Sequence, residues 1–199
     1  MDILVYSLLL ITSVSGLGVV IWRAWALRWS AVVPKHLATA VAVCRKEAEF
    51  ENVRKHCETY PSPLGRLLLI ADAHSEWPKR DIESAVETAA RHEIVKLERG
   101  LVVLEIIVGI APLLGLIGTI FGMMTVFGDI GQTGLTNVND ASKLAQGISL
   151  ILRTTLIGLL ISVPALVAWS YFSKKVEVLA VEMETLCAEF IRRQKSEPE

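Results

Sequence analysis

The chain carries no excess of either charge sign: 20 Lys and Arg stand against 21 Asp and Glu, a net charge of -1. Such a balance offers no global field for nucleic acid. Cysteine is scarce and odd in number. Cys44, Cys57 and Cys187 have no metal-ligand spacing, fall outside the apolar runs and read as free thiols. The four histidines, His36, His56, His74 and His92, are scattered, as surface or packing residues are. His92-Glu93 begins like the zinc signature HExxH, but Lys96 occupies the second His position. GLIGTIFG, ending at Gly122, lacks the Lys-Ser/Thr ending of a phosphate-binding loop. The polar segments hold no nucleophile–base set, so no enzyme, cofactor or metal site is expected. Internal repeats and low-complexity tracts are missing as well.

Apolar length is what the chain has. Hydrophobic residues make up 52% of its 199 positions, and the mean hydropathy is +0.48, which points to several membrane spans. Ile3 to Trp22, ILVYSLLLITSVSGLGVVIW, contains no charge, and about 20 such residues cross a bilayer core of ~30 Å. A cleaved signal peptide would need a basic start and a shorter apolar core, so residues 1–22 read as an uncleaved first span. Arg23, Arg28, Trp22, Trp25 and Trp29 mark its interface. Residues 101–127 form a second span and 144–172 a third, closed by Lys174 and Lys175.

The expected fold is an all-α membrane protein with three transmembrane helices and long helices extending into a cytoplasmic helical bundle. Helix formers fill 35–58, and Tyr60-Pro61-Ser62-Pro63 breaks the pattern. A short helix over Leu64–Ala73 follows, and Pro78 suits the first turn of the next. Ile82, Val86, Ala89/Ala90, Ile94, Leu97 and Leu101 recur at three and four residues. Gly100 alone is not expected to end that helix, so a single helix from about 79 to 127 is predicted. Residues 128–143 read as a polar connector. Residues 173–199 read as a charged helix with apolar Val176, Leu179, Val181, Met183, Leu186 and Phe190, then a disordered end from Ser196 to Glu199.

Orientation follows from the basic residues. Segments 23–100 and 173–199 hold 13 and 5 of the 20, and the connector holds only Lys143. Basic flanks stay in the cytoplasm. The N-terminus and connector are therefore expected outside, and the 23–100 domain and C-terminus inside.

The spans themselves carry two charges, Glu105 and Arg153. A charge in the bilayer core costs at least about 2.5–3.5 kcal/mol, so each needs a reason. Glu105 lies near the cytoplasmic edge and can reach water. Arg153 can snorkel, pair with Asp129 or Asp140 of the connector, tune a charged path or grip a partner. Gly115, Gly118, Thr119 and Gly122 share one helix face. Gly147, Ile151, Thr155, Gly158, Ser162 and Ala165 share another. Counted from the outer ends, Thr119 and Thr155 should lie at similar height. The stripes serve tight helix packing, with hydroxyls bonded to carbonyls, or they line a narrow polar path.

Ala111-Pro-Leu-Leu-Gly-Leu-Ile-Gly-Thr-Ile-Phe-Gly-Met123 resembles the APxxGLxGTVxGxM motif of the MotA/TolQ/ExbB proton-channel family, most closely its ExbB/TolQ branch. Gly147-Ile-Ser149, Thr154-Thr-Leu-Ile-Gly158 and Ser162-Val-Pro-Ala165 are similar to its GIxEALxxTAxGLxxAIPA. The resemblance implies a homo-pentamer in the bacterial inner membrane around two single-span ExbD/TolR-type partners, which carry the proton-accepting aspartate. It implies that Thr119 and Thr155 line the proton path, with Thr154 and Ser162 beside them. Gly115, Gly118, Gly122, Gly158, Pro112 and Pro164 would pack the helices. The motor would drive TonB-dependent uptake, or envelope constriction of the TolQ kind. One departure stands out: Leu150 occupies the place of a common family Glu, with Arg153 three residues on. The alternative is a non-conducting membrane scaffold that oligomerises and anchors a partner.

Overall fold

The computed structural model describes residues 2–44, 47–133 and 138–195. Among these residues the secondary structure is α-helical: α1 (Asp2–Ala26), α2 (Trp29–Val32), α3 (Lys35–Val43), α4 (Glu47–Thr59), α5 (Pro63–Ala73), α6 (Lys79–Glu98), α7 (Leu101–Thr133) and α8 (Val138–Lys195). Three segments are long and apolar enough to cross a membrane, Ile3–Ala26, Leu101–Gly128 and Leu144–Lys195. The last, 52 residues long, rises about 78 Å, far more than a bilayer core needs. The protein is thus an all-α membrane protein with three spans.

One break and one merger depart from expectation. The predicted single helix 79–127 is divided: Arg99 leaves the helical region at ψ 133, and Gly100 takes φ 83. Only glycine enters that left-handed region without steric cost, so one residue ends α6 where periodicity alone runs on. Residues 35–58 divide into α3 and α4, with 45–46 between them outside the described residues. The third span and the C-terminal helix, expected to part near Lys174 and Lys175, are one helix. From Ala165 to Lys195 the chain has no Gly or Pro to stop it. The polar connector also shrinks, because α7 runs to Thr133 and α8 starts at Val138. The expected disordered end, 196–199, lies outside the described residues.

The chain forms two compact units. One comprises Met1–Trp22 and Gly100–Tyr171, the other Arg23–Arg99 and Phe172–Glu199. In the second unit, Ser62 caps α5, its Oγ accepting from Gly65 N at 3.0 Å, with Pro63 in the first turn. These two residues turn the Pro-Ser-Pro break into a helix start. Pro78 sits at the N-cap of α6 rather than inside it. The end of α8 packs into the α3–α5 region: Phe190 meets Phe50 edge-on at 5.3 Å. Gln194 Nε2 donates to Asp72 Oδ1 at 3.2 Å, and Arg193 Nη1 to the Cys44 carbonyl at 3.4 Å. Val176, Leu179, Met183, Leu186 and Phe190 are buried as the periodicity predicts, but Val181 is 59% exposed. The three cysteines are free and buried. Burial pushes the Cys57 thiol up to about 11, which leaves it protonated and unreactive.

Glu93, read from sequence only as part of a failed zinc motif, is buried at 5% exposure. Arg66 Nε donates to its Oε1 at 3.1 Å and Nη2 to its Oε2. Lys96 donates to Oε1 at 2.8 Å, a cation where the motif needs a second ligand. Burial pushes the Glu93 carboxyl up, but the hydrogen bonds and charges of Arg66 and Lys96 outweigh it and hold the carboxyl below its usual value. A depressed folded value means this stabilisation is full above the unfolded pKa, about 4.3, and is lost as pH falls through the folded one. Arg66 and Lys96 are roughly half open to water, which limits its size. Glu93→Gln is expected to cost about 1–3 kcal/mol at pH 7 and to flatten the acid limb of stability. Thermal unfolding of both proteins in detergent at pH 7 and pH 4 checks this. An equal drop in Tm between the two pH values would show that the triad does not set the acid limb.

Candidate functional site

The site is built where α7 meets α8 inside the first unit. Pro112 has no N–H, so the carbonyl of Val108, four residues earlier, loses its helical partner. In a bilayer water cannot replace it. Ser162 on α8 does: its Oγ donates to Val108 O at 2.9 Å. One turn away Ala111, fully buried, touches the bare backbone of Gly158, where a Cβ would lie 2.6 Å from the Ala111 carbonyl oxygen. Next, Thr155 Oγ1 donates across the seam to Gly115 O at 3.2 Å. A Cβ on Gly115 would lie 2.9 Å from Thr155 Cα. Gly118 faces the Thr154 side chain and Val5 of α1, and Gly122 faces Ile151. The pairing falls steadily along α8 as it rises along α7, so the two helices run antiparallel with backbones in contact. Small residues permit that approach.

The hydroxyls divide into two kinds. Thr154 and Ser162 are buried at 7% exposure each. Thr154 Oγ1 donates to Ile151 O at 2.6 Å. Thr119 Oγ1 donates to Leu116 O at 2.7 Å, yet its side chain is only half-buried and lines a shallow hollow with Ile120, Met123, Met124 and Phe127. Thr155 is also half-buried, its free edge beyond the seam. Gly115 stands opposite Thr155 and Gly118 opposite Thr154, so Thr119 is set two to four residues from the level of Thr155, about 3–6 Å of rise. The two pore candidates therefore lie within about one helical turn of each other.

The charges are placed apart. Glu105 and Arg153 are both exposed. The Val108–Ser162 contact puts Glu105 about twelve residues, or ~18 Å, from the level of Arg153. The side chains of Asp129 and Asp140 lie outside the described residues. Among the described residues Arg153 makes no ion pair, and its neighbours Leu150, Leu152 and Leu156 are 55%, 62% and 55% exposed. Pro164 is exposed, away from the seam.

Nothing in the local sequence joins Ser162 to Pro112. The signal was present: a proline inside an apolar helix frees the carbonyl four residues back, and a hydroxyl on a neighbouring span must answer it. What sequence cannot supply is the register that selects Ser162.

The chain is 37% identical to the biopolymer transport protein ExbB of Helicobacter pylori over 84 residues, 42% of this chain and 56% of that protein. It is 29% identical to a putative ExbB-like protein of Synechocystis over 166 residues, 81% of this chain and 63% of that one. It is 34% identical to the Tol-Pal system protein TolQ of Pseudomonas aeruginosa over 111 residues, 55% of this chain and 46% of that protein. The chain thus spans about half the length of the curated relatives it matches. A family model described as the MotA/TolQ/ExbB proton channel family matches residues 62–185, which include α7, the seam and most of α8. The chain belongs to the MotA/TolQ/ExbB proton channel family.

Proposed function

We propose that the chain is an ExbB/TolQ-type stator subunit of a proton-driven motor in a bacterial inner membrane. Copies of it form a homo-pentameric ring around a dimer of single-span ExbD/TolR-type partners, and the motor powers TonB-dependent uptake. The α7–α8 seam carries this reading. Its backbones are in contact, and the half-open hydroxyls of Thr119 and Thr155 are its polar edge. A carboxylic acid on the partner helix would enter an apolar wall at these two points. Desolvation raises its pKa, and a hydrogen bond to the carboxylate lowers it again. Both hydroxyls rest on backbone carbonyls here. A charged acceptor is worth about 1.5–3 kcal/mol against about 0.5–1.5 for a neutral one, so an arriving carboxylate can draw the hydroxyl off. The acid then releases its proton at that level. The charge pattern of 23–100 and 173–199 supports a cytoplasmic body, with proton flow toward it.

The competing scaffold reading rests on Leu150, which can neither relay a proton nor pair with a charge. Co-expression with a single-span protein bearing an intramembrane Asp, purification and reconstitution into vesicles separates the two. A stator subunit forms a stable complex and passes protons under an imposed gradient. A complex that forms but passes no protons would identify a scaffold.

A further inference from the structure

Beside the seam, α1 and α8 enclose an apolar groove of about 940 Å3 over Ile107, within the size range of small-molecule pockets. On α1 its wall runs from Ile3 to Val20, about 25 Å by helical rise, more than the depth of one leaflet of a ~30 Å core. On α8 the wall includes Ile157, Leu160 and Pro164. Arg153 precedes these by four, seven and eleven residues, so it continues the same stripe. The level is fixed independently. Val5, in the first turns of α1, and Thr154 both stand against Gly118. Arg153 therefore sits at the end of the groove where Ile3 and Tyr6 line it.

We propose that the α1–α8 groove and Arg153 form a site for an anionic phospholipid, its acyl chain along the groove and its phosphate on the guanidinium. Leu150, Leu152 and Leu156 flank Arg153 on α8, it makes no ion pair among the described residues, and Glu105 is out of reach. A phospholipid supplies tail and anion together, and basic positions between transmembrane helices suit such headgroups. Tyr6 adds a phenol at the same end, a residue type that favours the headgroup level. The site is separate from the seam and does not depend on proton conduction.

The test uses the intact purified assembly in mild detergent, with equal phosphatidylglycerol and phosphatidylcholine added, and native mass spectrometry to count what stays bound. Phosphatidylglycerol is expected to be retained about fivefold over phosphatidylcholine, the share of one basic side chain. Arg153→Lys should keep that preference, and Arg153→Leu should abolish it while lipid of either kind still binds. A photo-crosslinking group at Leu160 should capture lipid. Equal retention of both lipids by the unaltered protein, a preference that survives Arg153→Leu, or capture at Leu160 of a second copy or of a partner helix would each overturn the site. Flux plays no part in these readouts, so a failed proton-path proposal would not mimic any of them.

Discussion

Replacing Thr119 and Thr155 together by valine is expected to reduce proton flux by about one to two orders of magnitude for each hydroxyl lost. The figure follows from a hydrogen bond of about 1.5–3 kcal/mol to a charged acceptor, at 1.36 kcal/mol per factor of ten. Valine keeps the shape of threonine, so the ring should still assemble. The loss to packing is small. Thr155→Val gives up one interhelix bond, worth about 0.6 kcal/mol in membranes, and Thr119→Val only a bond within its own helix turn. Assembly is followed by native mass measurement and flux by a pH-sensitive dye in vesicles with the partner present. Full flux in a normally assembled double variant would reduce both residues to packing and remove the proposed path. Ser162→Ala serves as contrast. It strands the Val108 carbonyl and should cost stability without reporting on the path.

The second large effect concerns Gly158. A Cβ there would meet the Ala111 carbonyl oxygen at 2.6 Å, and backbone cannot step aside as a side chain can. Gly158→Ala is expected to destabilise the first unit by about 1–3 kcal/mol, and Gly158→Leu to part the helices and prevent assembly. Gly115→Leu meets Thr155 Cα in the same way and shares that outcome. Gly122 faces Ile151 Cγ1 at 2.5 Å, part of a buried β-branched side chain that is stiff at χ1, so Gly122→Ala is expected to be costly as well. A Cβ on Gly109 would meet nothing within 4 Å, and Gly109→Ala should be neutral or gain up to about 1 kcal/mol from helix propensity. Thermal unfolding of the series in detergent ranks them. A Gly158→Ala protein as stable as Gly109→Ala would mean that the seam is looser than its geometry.

Chain composition and order alone determined that this is a helical membrane protein with three spans, because about 20 apolar residues without charge have no comfortable place in water. The same local chemistry made the α5 start legible at Ser62-Pro63 and put the small faces on α7 and α8. It failed where a single residue's backbone angle or a distant partner decides. Gly100 ends α6 through its φ of 83, which periodicity cannot show. Glu93 is held by Arg66, 27 residues away, as well as by its near neighbour Lys96. Ser162 answers the carbonyl freed by Pro112 across 54 residues. The relative level of Thr119 and Thr155 is likewise decided by the register of α7 on α8, which is set by which small residues let the backbones touch. Sequence lists those residues, but only packing chooses among their pairings, since each shift of a turn offers another set of glycines and hydroxyls.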